Sequence, residues 1–399
     1  MSKIPYARQD INQSDIDAVI NVLRSDFLTQ GPVVRNFEIA VSNYCGAKYA
    51  IAVNSATSAL HIACLALDVG RGDYVWTSPI TFVASANCAL YCGATVDFVD
   101  IDPNTYNLSI ECLSEKLEVA KKIGRLPKVV IPVHLAGQPC DMQEIYELSQ
   151  QYGFRILEDA SHAIGAKYKD ELVGSCAYSD ITIFSFHPVK IITSCEGGMA
   201  ITNNLKLANK IRLLSSHGIS SNKDINETNT LFHGDLVRRP LEEIWNYQQI
   251  YLGFNYRLSD VHAAIGLSQL HRINSFITKR HYIAERYNKL LSYLPLVLPL
   301  QNKYSYSSFH LYIVRLKLNE INMTQLQVYN AFHTAGILVN LHYIPVYRQP
   351  YYEDMGFKKG YCPNAEKYYS EALSIPIYFA LKDSEQDKVV KTMAEILSK

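Results

Sequence analysis

Short apolar segments alternate with segments of helical periodicity through the first two thirds of the chain. The apolar segments are rich in β-branched and aromatic residues, and each is followed by small or polar residues. This alternation is typical of a parallel β-sheet covered by helices on both faces. Strands are predicted at residues 49–54, 73–79, 95–101, 128–134, 154–160, 180–186 and 198–203. The pattern therefore predicts an α/β fold with a mainly parallel, seven-stranded sheet.

The pattern changes in the last third of the chain. Repeated apolar positions between residues 258 and 294 predict one long helix or two shorter ones. A strand at 310–318, a helix in the segment TQLQVYNAFHTAGI and a terminal helix from about Ser384 complete a small α+β domain. The chain of 399 residues is too long for one small core. We expect a large domain over residues 1–255 and a smaller domain over residues 256–399.

The segment between Ser215 and Asn255 fits neither pattern. It is polar, carries charges of both signs and has no sustained periodicity. A loop of this length is uncommon within a compact domain and usually serves a function. We interpret this segment as a long surface excursion.

The composition argues against several classes of function. The 38 lysines and arginines equal the 38 aspartates and glutamates, so no basic surface is expected for nucleic acid or an anionic membrane. No apolar run approaches the ~20 residues of a membrane span, and the amino terminus lacks the apolar stretch of a signal peptide. The nine cysteines are scattered and lie mostly in apolar runs, as reduced cytoplasmic thiols do. We expect a cytoplasmic protein without a metal, because the His and Cys spacings match no metal site.

A lysine follows the strand predicted at 180–186, in the segment FSFHPVKIIT. Lys190 has apolar neighbours on both sides, which favour the neutral amine that can bond to a carbonyl cofactor. The alternative is a loop lysine whose stem packs while its ammonium group reaches water. His187, three residues earlier, is a second catalytic candidate.

The strand predicted at 154–160 ends in two carboxylates, Glu158 and Asp159. A carboxylate in an apolar setting is costly unless a nearby group needs it, and the protonated ring nitrogen of pyridoxal is such a group. We interpret Asp159 as the partner of that nitrogen and Glu158 as a helix cap. His162 lies within one turn of Asp159 and either contacts the cofactor ring or packs as an ordinary surface histidine.

Two further segments can hold parts of such a cofactor. In YAIAVNSATSALHIACLAL a strand leads through residues 54–58 into a helix, whose free N–H groups and hydroxyls suit a phosphate. An ordinary serine or threonine cap would use the same residues. In SPITFVASAN, Phe82 can stack on a planar ring or pack in the core. All four features follow predicted strands, where open α/β sheets bind ligands. No GxGxxG or P-loop motif is present, so the sequence gives little support to a dinucleotide- or ATP-dependent enzyme.

Several motifs resemble those of the sugar aminotransferases of the DegT/DnrJ/EryC1/StrS family. They are SATSALHIACLAL, EDASHAIGA, FSFHPVK followed by CEGG, and GFNYRLSDVHAAIGLSQL, and the resemblance extends over nearly the whole chain. It implies the type I fold of aminotransferases, pyridoxal 5'-phosphate (PLP) as cofactor and a homodimer with shared active sites. NSATSAL, FSFHPVKIIT, SSHGI and LVNLHYIPVY are most similar to members that use glutamate and a UDP-linked 4-keto-6-deoxy-N-acetyl hexose in pseudaminic acid biosynthesis.

The resemblance also implies a role for each matching residue. Lys190 would bind the cofactor covalently, Asp159 would pair with its ring nitrogen, and Phe82 would stack on its face beside His162. The phosphate would be held by Ala56, Thr57, Ser185 and, from the other subunit, Asn255. The nucleotide sugar is expected to contact Tyr6, Asp26, Phe27, Leu28, Thr29, Ala56, Ser185, Asn255, Asn340, Leu341, His342 and Tyr343.

Other functions within the family stay open at this point. A member without catalytic activity would bind cofactor and sugar for regulation, and a deoxygenating member would carry histidine at the lysine position; Lys190 argues against both. An aminotransferase for another nucleotide-linked keto sugar is a further alternative. The excursion between Ser220 and Tyr247 is longer than in the shortest family members, which leaves the identity of the sugar open.

Overall fold

The computed structural model describes residues 3–221, 245 and 247–398. The elements of its first half are β1 (Ile4–Pro5), α1 (Gln13–Leu23), α2 (Pro32–Cys45), β2 (Tyr49–Val53), α3 (Ala56–Ala66), β3 (Tyr74–Thr77), α4 (Ala84–Tyr91), β4 (Thr95–Phe98), α5 (Ile110–Lys122), β5 (Val129–Ile131), α6 (Met142–Tyr152), β6 (Arg155–Asp159), β7 (Lys167–Tyr168), β8 (Glu171–Leu172), β9 (Ile181–Ser185) and β10 (Gly198–Thr202).

The elements that follow are α7 (Leu205–Ser215), β11 (Ile219–Ser221), β12 (Tyr247–Gln249), α8 (Asp260–Leu270), α9 (Ile273–Leu291), β13 (Leu296–Val297), β14 (Ser305–Tyr306), β15 (Tyr312–Leu316), α10 (Gln325–Thr334), β16 (Ile337–Leu338), α11 (Pro350–Asp354), α12 (Pro363–Glu371), β17 (Ala372–Ile375) and α13 (Asp383–Leu397). Two short 3₁₀ helices cover Leu135–Gly137 and Val346–Arg348.

The seven predicted strands form one central sheet in the order β2-β10-β9-β6-β5-β3-β4. Neighbouring strands from β9 to β4 run parallel, whereas β10 is antiparallel to both β9 and β2. Six strands therefore point the same way, and the start of β10 lies at the edge where those six strands end. The predicted α/β fold with a mainly parallel sheet is confirmed.

Helices bury the sheet on both faces, as the continuous apolar runs of the strands require. β9 and β10 are buried at every position. On one face α3, α4 and α7 contribute to the largest apolar cluster, while α2, α8 and the start of α9 contribute to a second. The edge where most strands end is thereby left free for ligands.

The last third of the chain forms a separate apolar cluster. It joins the end of α9 to β15, β17, α10 and α13. The apolar run at 258–294 is two helices, α8 and α9, rather than one. The amino-terminal β1 pairs in parallel with β16, and α8 packs on α1 and α2. The domain division between residues 255 and 256 stays a prediction.

Two further features concern the surface. Residues 222–244 and 246 of the predicted excursion lie outside the described residues, and the strands on either side of them, β11 and β12, pair antiparallel. Within the described part of the chain, no helix combines the length and apolar character needed to cross a membrane.

Candidate active site

A cavity of about 460 Å³ opens at the edge of the sheet where most strands end. This volume lies within the range of pockets for small ligands and cofactors. Most of the predicted site residues line it, namely Tyr6, Ala56, Thr57, Phe82, Asp159, His162, Ser185, His187, Lys190, Asn340, Leu341, His342 and Tyr343. Residues from distant parts of the sequence thus meet at one place. Positions after strands predicted this for residues 56–57, Phe82, Asp159 and Lys190, whereas Tyr6 and residues 340–343 were expected from the family resemblance alone.

Lys190 lies in the connection between β9 and β10, on the wall of this cavity. Burial lowers the pKa of its amine from 10.5 to about 8, while the negative charge of Asp159 opposes part of that shift. A substantial fraction of the amine is therefore neutral near physiological pH and able to attack a carbonyl group.

Asp159 ends β6 and is only 4% exposed. Its Oδ1 accepts a hydrogen bond from the Ser161 N–H at 3.1 Å, and its Oδ2 accepts one from the Ser85 hydroxyl at 2.5 Å. Both oxygens are thereby fixed in place, and the carboxylate borders the cavity. A cationic ring nitrogen in the cavity would meet an oriented negative charge.

Glu158 does not cap a helix, contrary to our interpretation of the sequence. Adjacent side chains of a strand point to opposite faces, so Glu158 is directed away from the cavity side. Its carboxylate contacts the His134 Nε2 at 2.8 Å and accepts a hydrogen bond from the Thr182 hydroxyl at 3.1 Å. It belongs to a buried polar network beneath the site.

The first turn of α3 forms one end of the cavity. Ser55 caps the helix by accepting a hydrogen bond from the Ser58 N–H at 3.1 Å. The N–H groups of Ala56 and Thr57 lie in the first turn, where the helix offers them no carbonyl. Ser185, at the end of β9, adds a hydroxyl to the same cavity. These donors, together with the positive end of the helix dipole, suit a phosphate group.

His162 is buried in the cavity wall between two partners. The Ala136 N–H donates to its Nδ1 at 3.3 Å, so the proton of the neutral ring lies on Nε2. The hydroxyl of Tyr343 is 3.2 Å from Nε2 and accepts this proton in a hydrogen bond. Burial, with a smaller effect from the charge of Lys190, holds the pKa of His162 well below its usual value. His162 is therefore a neutral wall residue and not a surface histidine.

The cavity mouth carries Phe82 and His187. Phe82 is 59% exposed, so the alternative of core packing is wrong. Its ring is tilted against that of Tyr343, with the centroids 6.3 Å apart, and its exposed part is available to a planar ligand. His187 is exposed overall, but the part of its side chain that is shielded from water lowers the pKa of the ring.

The remaining predicted ligands lie outside the cavity of their own chain. Asp26 and Phe27 line a separate groove beside α8, and all four residues from Asp26 to Thr29 are exposed. Asn255 is exposed too, and forms an isolated bridge with Ser216.

Other residues of the cavity escaped prediction from sequence. They are Leu60, Thr81, Ala84, Val133, Ser161, Val189, Glu196, Gly197 and His310. Thr81 lies in SPITFVASAN next to Phe82, and its position beside that predicted site residue was the available signal. His310 gave no signal, because it reaches the cavity from the segment just before the distant strand β15.

The combined groups match the parts of PLP. A reactive amine suits its aldehyde, an oriented carboxylate suits its ring nitrogen, and a helix start with hydroxyls suits its phosphate. An exposed aromatic ring at the mouth suits the face of its ring. The residues present therefore fit this cofactor.

Comparison with known proteins gives a consistent result. The model of the DegT/DnrJ/EryC1/StrS aminotransferase family matches residues 9–394. A UDP-4-amino-4,6-dideoxy-N-acetyl-beta-L-altrosamine transaminase of Campylobacter jejuni is 38% identical, with 99% of this chain and 98% of that protein covered. The spore coat polysaccharide biosynthesis protein SpsC of Bacillus subtilis is 36% identical, with 99% and 97% covered.

Solved structures agree with these relatives. Helicobacter pylori PseC, an aminotransferase involved in the biosynthesis of pseudoaminic acid, superposes with a TM-score of 0.88 at 28% identity, and both chains are covered completely. A Streptococcus pneumoniae protein described as a sugar aminotransferase, solved in its PLP form, gives a TM-score of 0.85 at 27% identity, with 99% of each chain covered. The chain belongs to the DegT/DnrJ/EryC1/StrS aminotransferase family and is a PLP-dependent sugar aminotransferase.

Proposed function

We propose that this enzyme transfers the amino group of glutamate to the keto carbon of a UDP-linked 4-keto-6-deoxy-N-acetyl hexose, a step of pseudaminic acid biosynthesis. The supporting observation is a cavity wall of uncharged polar groups beside Lys190. Tyr6 and Asn340 both line this wall. Burial holds the pKa of Tyr343 above its usual value, so that phenol stays protonated. Burial also lowers the pKa of His342 to about 3, which keeps that ring neutral. Such a wall suits the hydroxyl and acetamido groups of a sugar.

The names of two relatives support the same substrate class. One is called an altrosamine transaminase, and the other is involved in the biosynthesis of pseudoaminic acid. Both match this chain over nearly its full length. We extend this substrate class to the present enzyme as part of the proposal.

Each residue of the cavity takes one task in this proposal. PLP, when bound, supplies an electron sink next to the reacting carbon. Lys190 bonds to the cofactor at rest and then moves a proton at its Nζ, for which a pKa of about 8 is well placed. Asp159 keeps the ring nitrogen protonated, Phe82 stacks on the ring, and the start of α3 binds the phosphate. His187 remains a candidate for proton transfer at the mouth.

A second subunit completes the site in this proposal. Asn255 and residues 26–29 are exposed and lie outside their own Lys190 cavity. In a homodimer they would reach the phosphate and sugar regions of the partner's cavity. The nine cysteines are all free, which supports a cytoplasmic location for the enzyme.

The test uses purified enzyme, ¹⁵N-labelled glutamate and UDP-linked 4-keto-6-deoxy sugars with and without the N-acetyl group. Mass spectrometry should find the label on the N-acetyl sugar, and much less on the matched sugar that lacks it. Lys190→Ala protein serves as the inactive control. Transfer only to other nucleotide-linked keto sugars would contradict the proposed substrate. If another amino acid aminates the cofactor and glutamate does not, the proposed donor is wrong.

A further inference from the structure

Two buried hydroxyls stand behind the carboxylate of Asp159. Ser85, on the first turn of α4, has no exposed surface, and Thr81 is 2% exposed. The Ser85 Oγ lies 2.5 Å from the Asp159 Oδ2 and 2.7 Å from the Thr81 Oγ1. The Oγ also lies 3.3 Å from the Phe82 carbonyl oxygen, a longer contact. Three side chains thus form a continuous chain of short contacts in the wall of the cavity.

The direction of each hydrogen bond follows from the carboxylate of Asp159, at which the series ends. An ionised carboxylate can only accept, so the proton of the Ser85 hydroxyl points to Asp159. The Ser85 oxygen then has only lone pairs to offer, and Thr81 must be the donor to it. Each hydrogen bond in such a series polarises the next one. The chain therefore runs from Thr81 through Ser85 to the carboxylate.

We propose that Ser85 and Thr81 are positioning residues that orient the Asp159 carboxylate toward the ring nitrogen of PLP. This inference rests on the proposed role of Asp159. Ser161 fixes one carboxylate oxygen and Ser85 fixes the other, so the plane of the carboxylate cannot turn freely. The segment that carries both hydroxyls also carries Phe82, so the group that holds the carboxylate and the ring expected to stack on the cofactor lie close together in the chain.

The experiment compares two cofactors that differ only at the ring nitrogen. Cofactor is removed from the enzyme, and PLP or its 1-deaza analogue, in which C–H replaces the nitrogen, is titrated back. The ratio of the two dissociation constants measures the interaction with the ring nitrogen. A variant that only disturbs packing would weaken both cofactors equally and leave this ratio unchanged.

Ser85→Ala should lower the preference for PLP over the analogue about tenfold, the scale of one charge-assisted hydrogen bond. Thr81→Val should lower it less, by about threefold, because it removes only the polarisation of Ser85. The double variant should match Ser85→Ala, because Thr81 acts through Ser85 alone. Thr77→Val is the matched control, since the buried Thr77 hydroxyl donates to the Ile131 carbonyl at 2.9 Å and not to Asp159.

The variants distinguish failure of the proposed role of Asp159 from failure of the positioning role of Ser85 and Thr81. If Asp159→Asn leaves the preference for PLP intact, Asp159 is not the partner of the ring nitrogen and the proposed role itself is wrong. If Asp159→Asn abolishes the preference but Ser85→Ala does not change it, only the positioning role is overturned. Additive effects of Ser85→Ala and Thr81→Val would also overturn the chain from Thr81 through Ser85.

Discussion

The reactivity of a single residue, Lys190, depends on its burial at the cavity wall. Burial lowers the pKa of its amine to about 8, and only the neutral amine attacks the cofactor aldehyde. The rate at which the cofactor-free enzyme captures PLP should therefore rise with pH, with a midpoint near 8. An unperturbed lysine would give a midpoint near 10.5. Stopped-flow absorbance across this pH range measures the midpoint.

Removing the charge of Asp159 gives a second prediction about the midpoint of PLP capture. The negative charge of Asp159 raises the pKa of Lys190, so Asp159→Asn should move the midpoint below that of the wild type. Glu196→Gln removes an exposed carboxylate from the same cavity and is the matched control, expected to leave the midpoint in place. A midpoint that rises in Asp159→Asn would contradict the electrostatic account.

Individual residues differed in how well the sequence predicted them. The place of Asp159 was predictable because a carboxylate at the end of an apolar strand is costly. Lys190, five residues after the end of β9, was singled out by its apolar neighbours together with the other features and the family resemblance. Ser85 was not, because a serine in an apolar helix start is common and its contact with Asp159 joins residues 74 positions apart. His162 could be placed near the site, but its neutral state depends on a backbone N–H from the distant Ala136.

Among the elements, the contact between β10 and α3 determines the shape of the end of the cavity that we expect to bind the phosphate. A Cβ atom on Gly198 would lie 2.5 Å from the backbone nitrogen of Ala56, so an alanine there must displace the first turn of α3. We predict that Gly198→Ala weakens PLP binding about tenfold, the effect of a backbone shift costing ~1–3 kcal/mol. Binding of pyridoxal, which lacks the phosphate, should change much less. Absorbance titrations of both compounds measure these affinities.

The control for this variant is Gly70→Ala, because a Cβ atom at Gly70 would meet no atom within 4 Å. Equal losses for PLP and pyridoxal in Gly198→Ala would mean that the whole sheet edge has moved, and the role of the α3 turn in phosphate binding would then be wrong.

The elements themselves were largely predictable from the sequence. All seven strands of the sheet lie within the predicted segments, because buried parallel strands leave continuous apolar runs. The antiparallel direction of β10 could not be read from its apolar pattern, since it depends on the return of the chain through the Lys190 connection. The pairing of β1 with β16 joins Ile4 to Ile337, and no local signal marks a contact at that separation.

At the scale of the whole molecule, the central question is whether two chains share each site. Mixing Lys190→Ala with Asn255→Ala produces hybrid dimers in which one site has both native residues and the other has neither. Purified hybrids should regain about half of the wild-type activity if Asn255 serves the partner's cavity. Mixing Lys190→Ala with Asp159→Asn is the control, because both residues line one cavity and no native site can form. Activity at the level of the parent variants would show that Asn255 acts within its own chain.

The most direct test of the account is the identity of the residue that bonds to the cofactor. Borohydride reduction of the purified, cofactor-loaded enzyme should fix PLP to the protein, and peptide mapping by mass spectrometry should find the added mass on Lys190. The Lys190→Ala variant should retain no fixed cofactor at any position. Modification of a different lysine in the wild-type enzyme would contradict the assignment of this cavity as the active site.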